Sequence, residues 1–179
     1  MSGLPATLLD LVGFLEGAGV DYMVIGGFAL PFYGRMRSSL EIEVAVAIKD
    51  EDQFGMFLKT VVDAGFTFRP CLFEDAECRF WDEKTGLEFE FWMRPEGVEW
   101  DEETLRRRRR VRSNGVTFWI ISPEDFIVSK LARPDRVEQD ELDVKSVLTL
   151  KESELDADYL EIRAKRFGIY QLLAEIKRR

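Results

Sequence analysis

Two glutamates one residue apart, Glu41 and Glu43, stand in a stretch, Glu41 to Ile48, that otherwise reads as an apolar strand. Residues two apart on a strand project from one face, so both carboxylates point together while Ile42 and Val44 enter the core. A hard divalent cation such as Mg²⁺ takes carboxylate oxygens. Paired ions about 4 Å apart can hold the attacking and leaving oxygens of a phosphoryl displacement. Upstream, Gly26 and Gly27 directly follow the apolar segment Tyr22 to Ile25. Lacking side chains, they let backbone N–H groups approach a triphosphate at the start of the next helix. Each piece also has a plain structural meaning, a tight turn and a solvated strand face, so the argument rests on their combination.

A third carboxylate belongs on a neighbouring strand. The segment Gly86 to Met93 alternates polar and apolar residues, a half-buried strand with Glu88 and Glu90 on one face and Phe89 and Phe91 on the other. Either Glu88 or Glu90 could supply it. Arg37, four residues before the acidic strand, is placed to hold phosphate in a forked geometry.

The elements that must position these groups follow an α/β order. Residues 4–18 read as a helix with Leu8, Leu11, Val12 and Leu15 on one stripe, followed by a short strand at 21–25 and a helix start at Gly27 to Tyr33 containing Pro31. After the acidic strand comes a helix over 50–64 with acidic caps, ending at Gly65. Strands follow at 66–70, 77–81 and 87–93, with a polar turn from Asp82 to Gly86. Glu102 to Val111 reads as a helix whose acids lead and whose arginines trail, with Glu102–Arg106 and Glu103–Arg107 as supporting pairs. A strand at 116–121 precedes Ser122, which caps a helix beginning at Pro123. A further helix spans about 136–150, and 152–177 closes the chain with one or two more.

Composition removes whole classes of chemistry. The chain of 179 residues has no histidine, which excludes Ser-His and Cys-His catalysis and the common zinc sites. Carboxylate, lysine and metal remain. A 46% hydrophobic and 33% charged composition is that of a soluble globular chain. No apolar run reaches membrane-spanning length and the N-terminus has no signal-peptide pattern, so a cytoplasmic location is expected. Cys71 and Cys78 lack metal-site spacing and read as buried free thiols, with a disulfide the other possibility. A net charge of −9 argues against general nucleic-acid affinity. The one exception is the patch Arg106 to Arg112, either a dipole-complementing helix end or a contact for a nucleotide, an RNA or an acidic protein, since so many adjacent guanidiniums cannot all find local partners.

The order and spacing of these pieces resemble the nucleotidyltransferase superfamily that includes DNA polymerase beta, in particular its small prokaryotic minimal nucleotidyltransferase and AbiE-type antitoxin-like members. These carry G-G-x-A and then G-x-x-R-x-T-x-D-x-D. Gly26, Gly27 and Ala29 match the first part, Gly34 and Arg37 the second, with Ser39 in place of Thr and Glu41 and Glu43 in place of both aspartates. A later S-P-E-D-L-I-x-x-K followed by D-x-x-D is matched by Pro123, Glu124, Asp125, Lys130, Asp140 and Asp143. The resemblance covers roughly residues 20–148. It implies an α/β (α+β) fold, a mixed sheet flanked by helices, with a nucleotidyltransferase-like core at 1–121 and a C-terminal helical segment at 122–179 packed on it. It implies a site in which Glu41, Glu43 and Glu90 hold Mg²⁺ or Mn²⁺, while Gly26, Gly27, Arg37, Ser39 and Lys130 contact a nucleoside triphosphate. Lys130 has a competing role, with Arg133 and Arg136, in ion pairs with Glu138, Asp140 and Asp143 that lock two helices together.

Glutamate in place of aspartate displaces each carboxylate by about 1.5 Å. A misplacement of about 1 Å can cost roughly a hundredfold in rate. Three readings follow: transfer of an AMP-type group to a hydroxyl acceptor, a degenerate relative that binds nucleotide or a protein partner as in toxin–antitoxin pairs, or a scaffold whose acidic strand face is merely solvated.

Overall fold

The computed structural model describes residues 6–36, 41–83, 85–113 and 115–178. Arg37 and Ser39, two of the candidate site residues, lie outside the described residues. Among the described residues, no helix is long and apolar enough to cross a membrane.

Helix α1 (Ala6–Ala18) buries Leu11, Val12 and Leu15, the stripe its periodicity predicts, and leads into β1 (Tyr22–Val24). A short α2 (Gly26–Ala29) runs into a 3-10 turn at Leu30–Phe32, where Pro31 sits without interrupting a longer helix. The acidic strand is β2 (Ile42–Val46), followed by α3 (Glu51–Asp63), whose first turn is closed by the Asp50 carboxylate accepting from the Gln53 N–H at 2.8 Å. Strands β3 (Phe66–Phe68), β4 (Glu77–Asp82) and β5 (Glu88–Trp92) form a meander. Helix α4 (Glu102–Arg107), the hairpin β6 (Arg109–Ser113) and β7 (Val116–Ile120), and helices α5 (Pro123–Ala132), α6 (Glu138–Leu150), α7 (Ala157–Arg166) and α8 (Tyr170–Arg178) complete the order.

Among the described residues, seven strands form one mixed sheet in the order β3-β4-β5-β2-β1-β7-β6. β2 lies at its centre, antiparallel to β1 and parallel to β5. Cross-strand register puts Phe80, Phe89, Phe91, Ile42 and Val44 on one face. Phe57 of α3 closes that face, edge-on to Phe91 with ring centres 5.3 Å apart, and Phe14 of α1 packs on Phe57 at 5.8 Å. Contacts of this kind add to what burying the rings already contributes. The opposite face of β2, β5 and β4 is the one that carries charge.

Two expectations are corrected. The segment expected as a helix through Val111 ends at Arg107, and Arg109–Ser113 is a strand. Gly115, with φ of 83°, makes the reversal that lets this strand pair antiparallel with Val116–Ile120. In a run of arginines broken only by Val111, the period of two had no apolar contrast to reveal it. Cys71 and Cys78 are not free thiols but joined in a disulfide. The antiparallel return of β4 along β3 brings their Cα atoms to 5.8 Å, a proximity that sequence spacing does not express.

Helices α5 to α8 are tied to the sheet through buried polar groups. Ser122 caps α5 as expected, accepting from the Asp125 N–H at 3.0 Å. Asp125 accepts in turn from the Tyr159 hydroxyl at 2.8 Å, and Glu124 accepts from the Asp156 N–H at 2.8 Å, so the S-P-E-D acids join α5 to α7. Burial raises the Asp125 carboxyl above its ordinary range, opposed by the Ser122 and Tyr159 hydrogen bonds. Buried Arg163 reaches from α7 to Glu99 and Asp101, both at 2.6 Å, clasping the loop that enters α4.

Candidate active site: a carboxylate row beside a Gly-Gly turn

Strand register aligns Glu43 of β2 with Glu90 of β5, and Glu90 with Arg79 of β4. Side chains directly opposite on neighbouring strands share a face at close range, so these three form a row across the sheet. The Arg79 guanidinium stands 2.9 Å from Glu90 Oε1 and also reaches Glu77 at 3.2 Å and Glu88 at 3.3 Å. Glu90 Oε2 accepts from the Trp92 indole N–H at 3.3 Å. Glu90, not Glu88, is thus the acid beside Glu43, and only 5% of it is exposed. Burial, then Glu77, and more weakly Glu41 and Glu43, push its carboxyl up to about 7 against the pull of Arg79.

Glu43 turns toward the first helix turn instead of along the sheet. Its Oε2 accepts from the Gly27 N–H at 3.2 Å. Gly26 has φ of 60°, and a Cβ there would overlap the Glu43 carboxylate. The Gly-Gly pair therefore exists for a close approach, as expected, but what approaches is a side chain of the same protein. Arg133, at the end of α5, brings its guanidinium to 4.0 Å from Glu43 Oε1 and pairs with Asp135 at 3.1 Å. Glu41 is exposed at the entry to β2.

Lys130 is buried and its ammonium is bound to Asp140 at 3.0 Å, joining α5 to α6. Asp143 accepts from Arg35 at 3.1 Å, and Gly34 lets that segment press against Ser146 and Leu30. The motif positions Gly34, Lys130, Asp140 and Asp143 thus hold helices together. Between Ile25, Gly26, Glu43, Trp92, Ser129 and Arg133 lies a cleft of about 40 Å³.

Carboxylate oxygens are the right donors for a hard divalent cation. Their directions are not: Glu43 is committed to the Gly27 amide and Glu90 to Arg79 and Trp92. Among the described residues, no group of three or more acids or cysteines is placed to hold a metal ion. The residues as arranged do not fit the paired ions that such a site uses.

Arg79 and Arg133 are the residues sequence reasoning missed. For Arg79 a signal exists: the E-x-R alternation on β4 complements E-x-E on β5, the charge pattern of paired strands. Arg133 was expected only in ion pairs with Glu138, Asp140 and Asp143; its approach to Glu43 depends on where α5 docks, which the sequence does not express.

A family profile described as "Nucleotidyl transferase of unknown function (DUF2204)" matches residues 6–169. No curated protein matches the chain. Among solved structures, the antibiotic-resistance factor ANT(2'')-Ia superposes with a TM-score of 0.61 at 13% identity, covering 95% of this chain and 94% of that one. The lincosamide antibiotic adenylyltransferase LnuA, lincomycin-bound, gives 0.58 at 11% identity over 83% and 98%. An antigenic nucleotidyltransferase-like protein from Paracoccidioides brasiliensis gives 0.56 at 17% identity over 95% and 90%. At these identities the likeness is one of fold.

Proposed function

The chain belongs to the family of nucleotidyl transferases of unknown function, and from that membership we propose that it is a catalytically degenerate relative, a protein-interaction module on a nucleotidyltransferase fold. The observation that carries this reading is the row Arg79–Glu90–Glu43, closed at its end by the Gly27 N–H. A guanidinium from β4 neutralises Glu90 from the side away from Glu43, and the Glu43 carboxylate sits on the amide that a phosphate would need. The longer glutamates support the same reading: with one more methylene than aspartate, Glu43 reaches back to the glycine turn and is satisfied there.

A second reading, transfer of an AMP-type group from a nucleoside triphosphate to a hydroxyl acceptor with Mg²⁺ or Mn²⁺ at Glu41, Glu43 and Glu90, is favoured by one observation. Glu90 is pushed up to about 7 by burial and neighbouring acids, a surplus of negative charge that a cation would relieve. This reading requires Glu43 to leave Gly27 and Glu90 to leave Arg79.

Calorimetric titration with Mg²⁺ and then each of the four nucleoside triphosphates, beside a Glu41→Gln, Glu43→Gln variant, separates the two. The interaction-module reading expects no triphosphate heat, no metal-dependent rise in Tm and no incorporation of labelled nucleotide. Metal-dependent triphosphate binding that disappears in the variant overturns it.

A further inference from the structure

Among the described residues β6 is an edge strand: β7 pairs with it on one side, and the sheet order ends there. In a hairpin closed by two residues, the pair flanking the turn, here Ser113 and Val116, is hydrogen-bonded, and bonding alternates along the ladder. Arg112 and Arg110 therefore direct their backbone N–H and C=O groups away from β7. Their side chains share one face, both residues are exposed, and neither pairs with an acid among the described residues. The neighbouring arginines differ. Arg106 and Arg107 bind Glu103, Arg108 binds Asp21, and Arg109 binds Glu154.

We propose that the outer edge of β6 docks an extended acidic segment of a partner protein as an added strand, its backbone paired to Arg110 and Arg112 and its alternating carboxylates held by their guanidiniums. Edge addition supplies main-chain hydrogen bonds, and guanidinium–carboxylate forks supply selectivity. The charge is the complementary part: the protein carries −9 overall, yet among the described residues Arg110 and Arg112 have no acidic partner beside the strand edge, Arg110 resting only on the Trp119 ring. Charged side chains also keep sheet edges from self-association, and two β6 edges would set arginine against arginine. The same charge that repels a second copy selects an acidic strand. A single-stranded nucleic acid fits less well. Its bases need an open aromatic face, and the rings here are already covered: Trp119 has Arg108 at 4.8 Å and Arg110 at 5.2 Å over it, and Tyr33 has Arg109 at 5.6 Å.

The test is fluorescence anisotropy with a labelled peptide alternating glutamate and threonine, its lysine-for-glutamate counterpart, and single-stranded oligouridylate. The glutamate peptide is expected to bind and the lysine peptide not. Arg112→Thr removes a charge and is expected to weaken binding about threefold. Arg112→Pro also removes the outward N–H, which an edge strand tolerates, and is expected to weaken it about tenfold further. In the parent protein the Arg110 and Arg112 amides gain hydrogen-exchange protection with the glutamate peptide, a readout independent of how well the proline variant folds. No binding of the acidic peptide, equal loss in both variants with no amide protection, or tighter binding of oligouridylate overturns the proposal. None of these residues touches the carboxylate row, so failure here leaves the nucleotide titrations to decide the other reading alone.

Discussion

Gly26 holds a left-handed backbone against the Glu43 carboxylate, so Gly26→Ala meets two penalties at once. The backbone accounts for about 1–2 kcal/mol and the displaced carboxylate for the rest. The substitution is expected to cost about 2–4 kcal/mol in the parent, falling toward the backbone share alone in a Glu43→Ala background, as read by a double-mutant cycle in urea. Glu90 gives a pH signature. With its carboxyl raised from 4.5 to about 7, the folded protein holds a proton that the unfolded chain has released in that interval. Stability from this group is therefore full below about 4.5 and is lost as pH rises through 7. Relative to Glu90→Gln, the parent should lose about 1.4 kcal/mol per pH unit across the window, with Arg79 still held by Glu77 and Glu88. Denaturation of both proteins between pH 4 and 8 checks this, and parallel curves would contradict it.

Lys130 and Asp140 show how an element is held by a pair that the sequence left with two roles. Both are buried, and Asp140 also accepts from the Val137 N–H at the start of α6. Lys130→Met should cost about 3–5 kcal/mol because it strands a buried carboxylate, and Lys130→Met with Asp140→Asn should recover most of it. Thermal melts of the two variants measure the difference. Much of the element order was legible from periodicity and caps: the α1 stripe, Asp50, and Ser122 before Pro123. The fold's acidic strand was legible as well, because Glu41 and Glu43 alternate with Ile42 and Val44 ahead of a short apolar run. β6 was not, since six arginines between 106 and 112 gave no alternation, and strandedness there comes from pairing with β7. At the candidate site, the alignment of Glu43 with Glu90 follows from strand period, but the direction of each side chain does not. Which way Glu43 turns is decided by the Gly27 amide, and what neutralises Glu90 is decided by the register of β4.

At the scale of the molecule, the C-terminal helices are part of the core. Leu160, Ala164, Leu173 and Ile176 from α7 and α8 belong to the same apolar cluster as Val44 and Phe91 of the sheet. Arg163 adds a buried polar clasp to the loop before α4. The residues on either side of position 121 are thus expected to unfold together, in one calorimetric transition whose van't Hoff and measured enthalpies agree. Two separate transitions would mean that the helical segment folds as its own unit.

The Gly27 amide has one further consequence for any anion offered to it. Glu43 is tethered beside it, so the protein carries its own competitor at an effective concentration no added ligand can dilute. An incoming phosphate binds only the fraction of molecules in which the carboxylate has swung away, and its apparent Kd is its intrinsic Kd divided by that fraction. Shortening the tether by one methylene, Glu43→Asp, withdraws the competitor. That single carbon sets how far the turn is closed to phosphate.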